Sequence, residues 1–271
     1  MKLTVLTDNS TYIDRYYLGE PALSIYIENG EDRILFDTGY SDVCIQNARK
    51  MGIDLNHLTA IVISHGHNDH TGGLRALLEQ YDLRGTKLIA HPLAFCRRIC
   101  DSLEVGSPVS LAECEDHGLV YVDGTKPVKV SENLYFLGEI PRRTSFESKR
   151  PVGERADGER RMPDYVIDDS ALVCYSKTGP FVITGCSHSG ICNILLQAFA
   201  QMGRDQKACG VIGGFHLFEN DDVLKETIRF LKENTTGTLY PCHCVSLIAK
   251  CEIMRALPVE ETAVGLQIEL E

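Results

Sequence analysis

Three histidines and one aspartate lie within six residues in the segment Ser64-His65-Gly66-His67-Asn68-Asp69-His70. Imidazole and carboxylate are ligands that zinc, iron(II) and manganese accept. The apolar, β-branched run 60–63 precedes the segment and predicts a buried strand that ends in a loop. In a loop, neighbouring side chains can turn toward different ions, whereas a strand points them to opposite faces. The segment therefore indicates a metal site, and the alternative is a polar turn without ligands.

The pattern His-x-His-x-Asp-His resembles the signature of the metallo-β-lactamase superfamily. Further segments extend this resemblance over nearly the whole chain. Together they look like one branch of the superfamily, the dihydropterin ribofuranosylaminobenzene phosphate synthases. These segments are 6–9, 64–73, 138–142, 183–190, 213–217 and 241–244.

The resemblance implies a centre with two divalent metal ions. The matching ligands of the first ion are His65, His67 and His188, and those of the second are Asp69, His70 and His243. It also implies that Asp37, in an Asp-Thr-Gly turn after a strand, fixes a ligand histidine from below. Turn chemistry alone is the alternative explanation for that aspartate.

The chain departs from the superfamily pattern at Cys186, where many two-metal hydrolases have a bridging aspartate. Either Cys186 supplies a thiolate or His188 takes its place, and we favour His188 because two ligands are hard to use together around so tight a turn. We expect zinc, which a thiolate would favour, while an all-His/Asp set also tolerates iron or manganese. No histidine lies in residues 118–187. The usual middle histidine is thus missing, which predicts that one ion is under-coordinated or absent.

Other polar residues are candidates for catalysis and substrate binding. His216, after two glycines, is interpreted as a replacement ligand or a proton-transfer group, with a capping or core role as the alternative. Asp69 is the other candidate for proton transfer. Asn9 follows the first strand and is expected on the same rim as residues 64–73, which we call the metal loop. Arg142 and Arg143 are predicted to hold a phosphate or carboxylate of the substrate.

Alternating strands and helices must position these residues. Strands are predicted at 3–6, 23–27, 33–36, 60–63, 87–90, 119–122, 134–137, 171–175 and 181–184, with others starting near 211, 238 and 264, and helices at 42–51, 73–81, after 190, at 221–232 and after 244. Two packed sheets with helices outside satisfy this order, so we predict an α/β fold, a four-layer αββα sandwich. The single domain 1–271 would have two similar halves, 1–165 and 166–271. The polar segment 142–163 is expected to be a mobile loop, because it has almost no apolar residue to pack.

Composition limits the compartment and the partners. The chain has 271 residues, 44% of them hydrophobic, and a net charge of −11, which argues against nucleic acid as a partner but allows a small anionic substrate. The sequence has no apolar run long enough for a membrane span and no signal peptide pattern, so we expect a cytoplasmic protein without membrane association, with a homo-oligomer left open. Its eleven cysteines are interpreted as reduced thiols.

These features favour a metal-dependent hydrolase. In this hypothesis a metal-bound hydroxide attacks a phosphoryl or acyl ester of a small anionic substrate. Two alternatives remain. One is a synthase that joins a dihydropterin to a phosphorylated ribofuranosyl arene, and the other is a non-catalytic metal or redox sensor that uses the cysteine-rich rim.

Overall fold

The computed structural model describes residues 1–158, 160–202 and 206–270. The strands of these residues are β1 (Lys2–Thr7), β2 (Ser24–Asn29), β3 (Asp32–Phe36), β4 (Ala60–Val62), β5 (Lys87–Ala90), β6 (Arg98–Cys100), β7 (Leu103–Glu104), β8 (Val120–Asp123), β9 (Val128–Lys129), β10 (Leu134–Phe136), β11 (Glu154–Asp157), β12 (Arg160–Pro163), β13 (Ala171–Ser176), β14 (Gly179–Thr184), β15 (Ala208–Gly213), β16 (Thr235–Pro241) and β17 (Gln267–Glu269). The helices are α1 (Val43–Met51), α2 (Asn68–Thr71), α3 (Gly73–Gln80), α4 (Leu111–Asp116), α5 (Ile191–Met202), α6 (Asp222–Asn234) and α7 (Leu247–Met254), with a 3-10 turn at Pro92–Phe95.

Two large sheets carry the fold. The first has seven strands in the order β17-β1-β2-β3-β4-β5-β8, and the second has six in the order β16-β15-β14-β13-β10-β9. Strands β3, β4, β5 and β8 run parallel in the first sheet, as do β14, β15 and β16 in the second. Because parallel neighbours end at the same edge, the loops that leave these strands gather at one rim of each sheet.

Alternating side chains place the two sheets face to face. In β3, Ile34 and Phe36 enter the core between the sheets, while Leu35 packs on the opposite side under α1 and α3. In β14, Ile183 points into the same central core, and Val182 packs under α5 and α6. The layers are therefore helix, sheet, sheet and helix, and the predicted four-layer αββα sandwich is confirmed.

Local sequence signals set the ends of several elements. The hairpin predicted at Asn29-Gly30 is present, with Asn29 opposite Asp32 and Gly30 at φ +59°, a conformation that glycine adopts without steric cost. Helix α6 begins after Asp221, whose carboxylate accepts a hydrogen bond from the Leu224 amide at 2.9 Å.

The segment predicted to be a mobile loop, 142–163, contains two strands in the part that the structure describes. Strands β11 and β12 pair as a hairpin, and β11 also pairs with β6 in a third, four-stranded sheet. Phe146 packs against the helices outside the second sheet, and Glu147 is buried. Backbone pairing and these two packed side chains correct the expectation that the segment cannot pack, while its mobility stays a prediction.

The predicted halves also differ from the observed sheets. Strands β9 and β10 precede residue 165 but belong to the second sheet, and β17 crosses back to the first. The chain thus changes sheets before the polar segment, near residue 125.

In the part of the chain that the structure describes, no helix is both long and apolar enough to cross a lipid bilayer.

Candidate metal centre

The loop after β4 rests on a buried carboxylate from the end of β3. Asp37 accepts hydrogen bonds from the Ser64 amide and the Ser64 hydroxyl, each at 2.7 Å. Its Oδ2 also lies 2.7 Å from Nδ1 of His70. Asp37 is therefore placed to fix the orientation of the His70 ring and to leave its Nε2 pointing outward, as the sequence predicted for this aspartate.

Three buried histidines form the first donor group: His65, His67 and His188. Nε2 of His65 lies 3.0 Å from Nδ1 of His67, and the His188 ring centroid is 4.8 Å from both of the other rings. Nε2 of His67 and both ring nitrogens of His188 are buried and have no hydrogen-bond partner among the described residues. Unpartnered buried nitrogens are costly, so this group fits a cation.

Four residues form the second donor group: Asp69, His70, Cys186 and His243. Nε2 of His243 lies 3.1 Å from Cys186 Sγ, 3.2 Å from His70 Nε2 and 3.3 Å from Asp69 Oδ2. These atoms converge on one point from α2, which carries Asp69 and His70, and from the loops that follow β14 and β16. The set of two imidazoles, one carboxylate and one thiol matches the ligands that zinc prefers.

The sequence presented Cys186 and His188 as alternatives, but the geometry does not require a choice between them. Cys186 lies in the second donor group and His188 in the first, so the geometry offers both side chains as donors. Ser187 between them has φ +58°, and this left-handed turn separates the two side chains. Each group offers at least three donors, and the expectation that one ion is under-coordinated or absent stays a prediction.

The rim of the second sheet carries His216 beside the first donor group. Its ring centroid is 4.4 Å from that of His188, and it also lies in a third set of close donors with Cys186 and His188. Its amide donates a hydrogen bond to Sγ of Cys244 at 3.3 Å. His216 and His243 both have positive φ, +50° and +52°. Left-handed backbone at non-glycine residues is strained and concentrates at functional sites.

Asn9 and its neighbour Asp8 support His243. The Asp8 carboxylate accepts a hydrogen bond from the His243 amide at 3.0 Å, and Asn9 Oδ1 lies 3.2 Å from His243 Nδ1. Asn9 also lines the cavity over the centre, so it lies on the rim as predicted. Its contact with His243 was not predicted.

The two arginines predicted to bind substrate make contacts within the protein instead. Arg142 donates to the Ser148 hydroxyl at 2.7 Å and to the carbonyl oxygen of Tyr165. Arg143 donates to the Leu196 carbonyl and to the Gln197 side chain, each at 3.1 Å. Neither arginine lines the cavity over the donor groups, so these contacts do not support the predicted role in substrate binding, which stays a prediction.

A buried arginine that the sequence did not single out supports the metal loop. Arg98 is fully buried and donates to Asp164 at 2.6 Å and to Asp168 at 2.5 Å. Asp168 in turn accepts a hydrogen bond from the Gly66 amide at 2.9 Å. A Cβ at Gly66 would collide with the Ala94 carbonyl and the Arg98 guanidinium, which explains a glycine between the two histidines. In the sequence, Gly66 was the only residue that indicated this close packing next to the histidines.

The donor groups open into a cavity of about 510 Å³. Its lining includes His67, Asp69, Cys186, His188 and His243 from the two donor groups, and Asn9, Tyr40, His216 and Phe218 from the rim. Tyr40 and Phe218 are exposed aromatic side chains. The cavity thus offers metal ligands on its floor and apolar surface at its mouth, which is typical of a small-molecule site.

Burial and charge give the two donor groups different protonation. Burial lowers the pKa of His67 to about 4, with the Arg98 charge adding to the effect. Burial would also lower the pKa of His70, but the carboxylates of Asp69 and Asp37 raise it to about 9. The first group therefore presents a neutral imidazole at neutral pH, whereas a cation entering the second group must displace a proton from His70.

Zinc affinity of the second donor group is expected to rise at least about tenfold per pH unit up to pH 9, because His70 is protonated below its pKa of about 9. The first group should bind equally well at pH 7 and pH 8, because His67 is already neutral there. Titration with zinc against a competing chelator at both pH values measures the two affinities. If the affinity of the second group is also the same at pH 7 and pH 8, the assignment is contradicted.

A four-layer αββα fold with histidine, aspartate and cysteine donors gathered on the sheet rims defines a class of metal-binding α/β proteins. The family model of the metallo-β-lactamase superfamily matches residues 18–95. The crystal structure of Tm1679, a metal-dependent hydrolase of the β-lactamase superfamily, is similar with a TM-score of 0.84 and 31% identity, covering 99% of this chain and 98% of that one. This chain belongs to the metallo-β-lactamase superfamily.

Two relatives come from Methanocaldococcus jannaschii. An uncharacterised protein is 30% identical over 251 residues, which is 91% of each chain. The 7,8-dihydropterin-6-methyl-4-(β-D-ribofuranosyl)-aminobenzene-5'-phosphate synthase is 28% identical over 264 residues, which is 92% of this chain and 89% of the synthase. The resemblance to the synthase branch thus extends over nearly the whole chain.

Proposed function

We propose that the protein is a metal-dependent hydrolase that cleaves a phosphoryl or acyl ester of a small anionic substrate. The observation that carries this proposal is the contact between the two donor groups. The rings of His65 and His70, one from each group, have centroids 4.3 Å apart. Two neighbouring divalent ions, zinc above all, would supply a nucleophile near neutral pH and stabilise the charge that develops on the substrate.

Other residues around the centre would orient the ligand imidazoles and transfer a proton. Asp37 holds the Nδ1 side of His70 and Asn9 lies against Nδ1 of His243, so both imidazoles keep a fixed orientation. Asp69 is a donor of the second group, whereas His216 belongs to neither of the two main donor groups and is therefore the better placed proton carrier. The ring of His216 lines the cavity and its Nδ1 has no hydrogen-bond partner among the described residues. It can therefore hand a proton to a leaving group.

Purified protein is expected to contain about two zinc, manganese or iron ions per chain and to hydrolyse bis(p-nitrophenyl) phosphate or p-nitrophenyl acetate. Removal of the ions by a chelator should abolish turnover, and added zinc or manganese should restore it. Elemental analysis and the release of p-nitrophenol measure the two properties. Protein that holds both ions and cleaves neither ester would contradict the proposal.

A synthase is the second candidate function, and the relative of that name carries it. In this case the cavity would accept a dihydropterin and a phosphorylated ribofuranosyl arene, with Tyr40 and Phe218 offering surfaces for aromatic rings. Mass spectrometry after incubation with both compounds would detect the joined product. Formation of that product without ester hydrolysis would favour the synthase over the hydrolase.

A further inference from the structure

A second cavity, of about 620 Å³, lies beside the metal cavity. The two share Val152, His188 and His216 as lining residues. On its other side the second cavity is lined by residues 146–152, a stretch that we call the strap. A ligand at the metal centre that extends past His216 would therefore enter this second space.

The strap presents two adjacent cations to the second cavity. Lys149 and Arg150 both line it, and both side chains are exposed. Neither forms a hydrogen bond or an ion pair with any residue that the structure describes. They differ in this respect from Arg142 and Arg143, whose guanidinium groups are satisfied by the protein.

Acidic residues around the cavity offset these charges only in part. Glu147 accepts hydrogen bonds from the amides of Cys192 and Asn193 at 2.9 and 3.1 Å, at the start of α5. Asp221 accepts one from the Leu224 amide at the start of α6. Among the described lining residues, Glu219 alone is a carboxylate without a partner. Two unpaired cations thus face one unpaired carboxylate.

Hydrogen bonds hold the strap at both ends. The Ser148 hydroxyl accepts from Arg142 at 2.7 Å, and Ser148 has φ +55°, which turns the chain sharply before Lys149. At the other end, the Val152 amide donates to the Asp164 carbonyl at 2.7 Å. The two cations therefore project from a backbone that is hydrogen-bonded on either side of them.

We propose that the second cavity is an anion subsite, in which Lys149 and Arg150 hold a phosphate or carboxylate group of the substrate that is distinct from the ester at the metal centre. The inference rests on the proposed hydrolysis and narrows its substrate class to esters with a separate oxyanion. The guanidinium of Arg150 suits two parallel hydrogen bonds to such a group, and Lys149 adds a point charge. No bond is made or broken in this subsite.

The test compares ligands with one and two anionic ends on zinc-loaded protein. Methylphosphonate has only the group that would bind the ions, and a series of ω-phosphonoalkanoates adds a carboxylate at increasing distance. Isothermal titration is expected to show that one length binds at least about 10-fold more tightly than methylphosphonate. In the double variant Lys149→Ala/Arg150→Ala this gain should fall to less than about twofold.

The matched control is Arg160→Ala/Arg161→Ala, which removes the same charge from the same segment. Arg160 and Arg161 lie on β12 and line neither cavity, so this variant should keep the gain from the second anion. An equal gain in all three proteins, or no gain at any length in the wild type, overturns the subsite. Because the measurement needs no turnover, a gain that depends on Lys149 and Arg150 supports the subsite even if ester hydrolysis fails.

Discussion

Replacement of His67 by alanine is expected to lower hydrolysis of bis(p-nitrophenyl) phosphate by more than about 100-fold, beyond the loss typical of residues that only support a metal ligand. The Nε2 atom of His67 is buried, has no described hydrogen-bond partner and faces the His188 ring. Its removal leaves two imidazoles in the first donor group, too few to hold an ion tightly. The measurements are kcat/KM and the zinc content of the purified variant, which should fall by about one ion per chain.

The control for this variant is His57→Ala. The His57 side chain is 84% exposed and belongs to neither donor group, so turnover and zinc content should match the wild type. Thermal unfolding of the zinc-loaded variants separates loss of the ion from loss of the fold. A His67→Ala protein that turns over at the wild-type rate with its full zinc content would exclude His67 from the centre.

The sequence predicted which histidines follow the ends of strands and therefore lie near one another. A short apolar run followed by polar residues marks the exit of a parallel strand, and parallel neighbours bring such exits to one rim. This reasoning applies to His65 after β4, to His188 after β14 and to His243 after β16. The structure brings all three to the rims where the two sheets meet, although they are far apart in the chain.

The direction of side chains within a tight turn was beyond the reach of the sequence. Cys186 and His188 are separated by one residue, and their roles depend on the backbone of Ser187. Serine adopts a left-handed conformation far less readily than glycine, so its φ of +58° had no signal in the residue type. Tertiary contacts accompany this conformation, since the Ser187 hydroxyl donates to the Gly214 carbonyl at 2.7 Å and lies 2.8 Å from the Thr184 hydroxyl.

The strands and the packing within the polar segment 142–163 were beyond the reach of the sequence for a related reason. Its composition has no helical or strand periodicity, and composition alone predicts a solvated loop. Its contacts are made with partners distant in sequence, such as β6 for β11 and the start of α5 for Glu147. The guanidinium groups of Arg142 and Arg143 donate to the Ser148 hydroxyl, to the Gln197 side chain and to backbone carbonyls, contacts that only the tertiary structure reveals.

Arg98 links the metal loop to the end of this polar segment. Its guanidinium contacts both Asp164 and Asp168, and all three side chains are almost fully buried. Asp168 also binds the Gly66 amide, so the ion pairs set the backbone between His65 and His67. Burial disfavours each of these charges alone, and each is tolerated because its partners are present.

Arg98→Met is therefore expected to lower the free energy of unfolding by about 3–5 kcal/mol, because it leaves two buried carboxylates without their cation. The neighbouring Arg97→Ala removes an exposed ion pair with Glu104 and should cost no more than about 1 kcal/mol. Urea unfolding of both variants measures the difference, and zinc titration should show weaker binding in Arg98→Met only, since the Gly66 backbone loses its support. Equal losses in the two variants would mean that Asp164 and Asp168 are stabilised without Arg98, and that the metal loop does not depend on this ion-pair network.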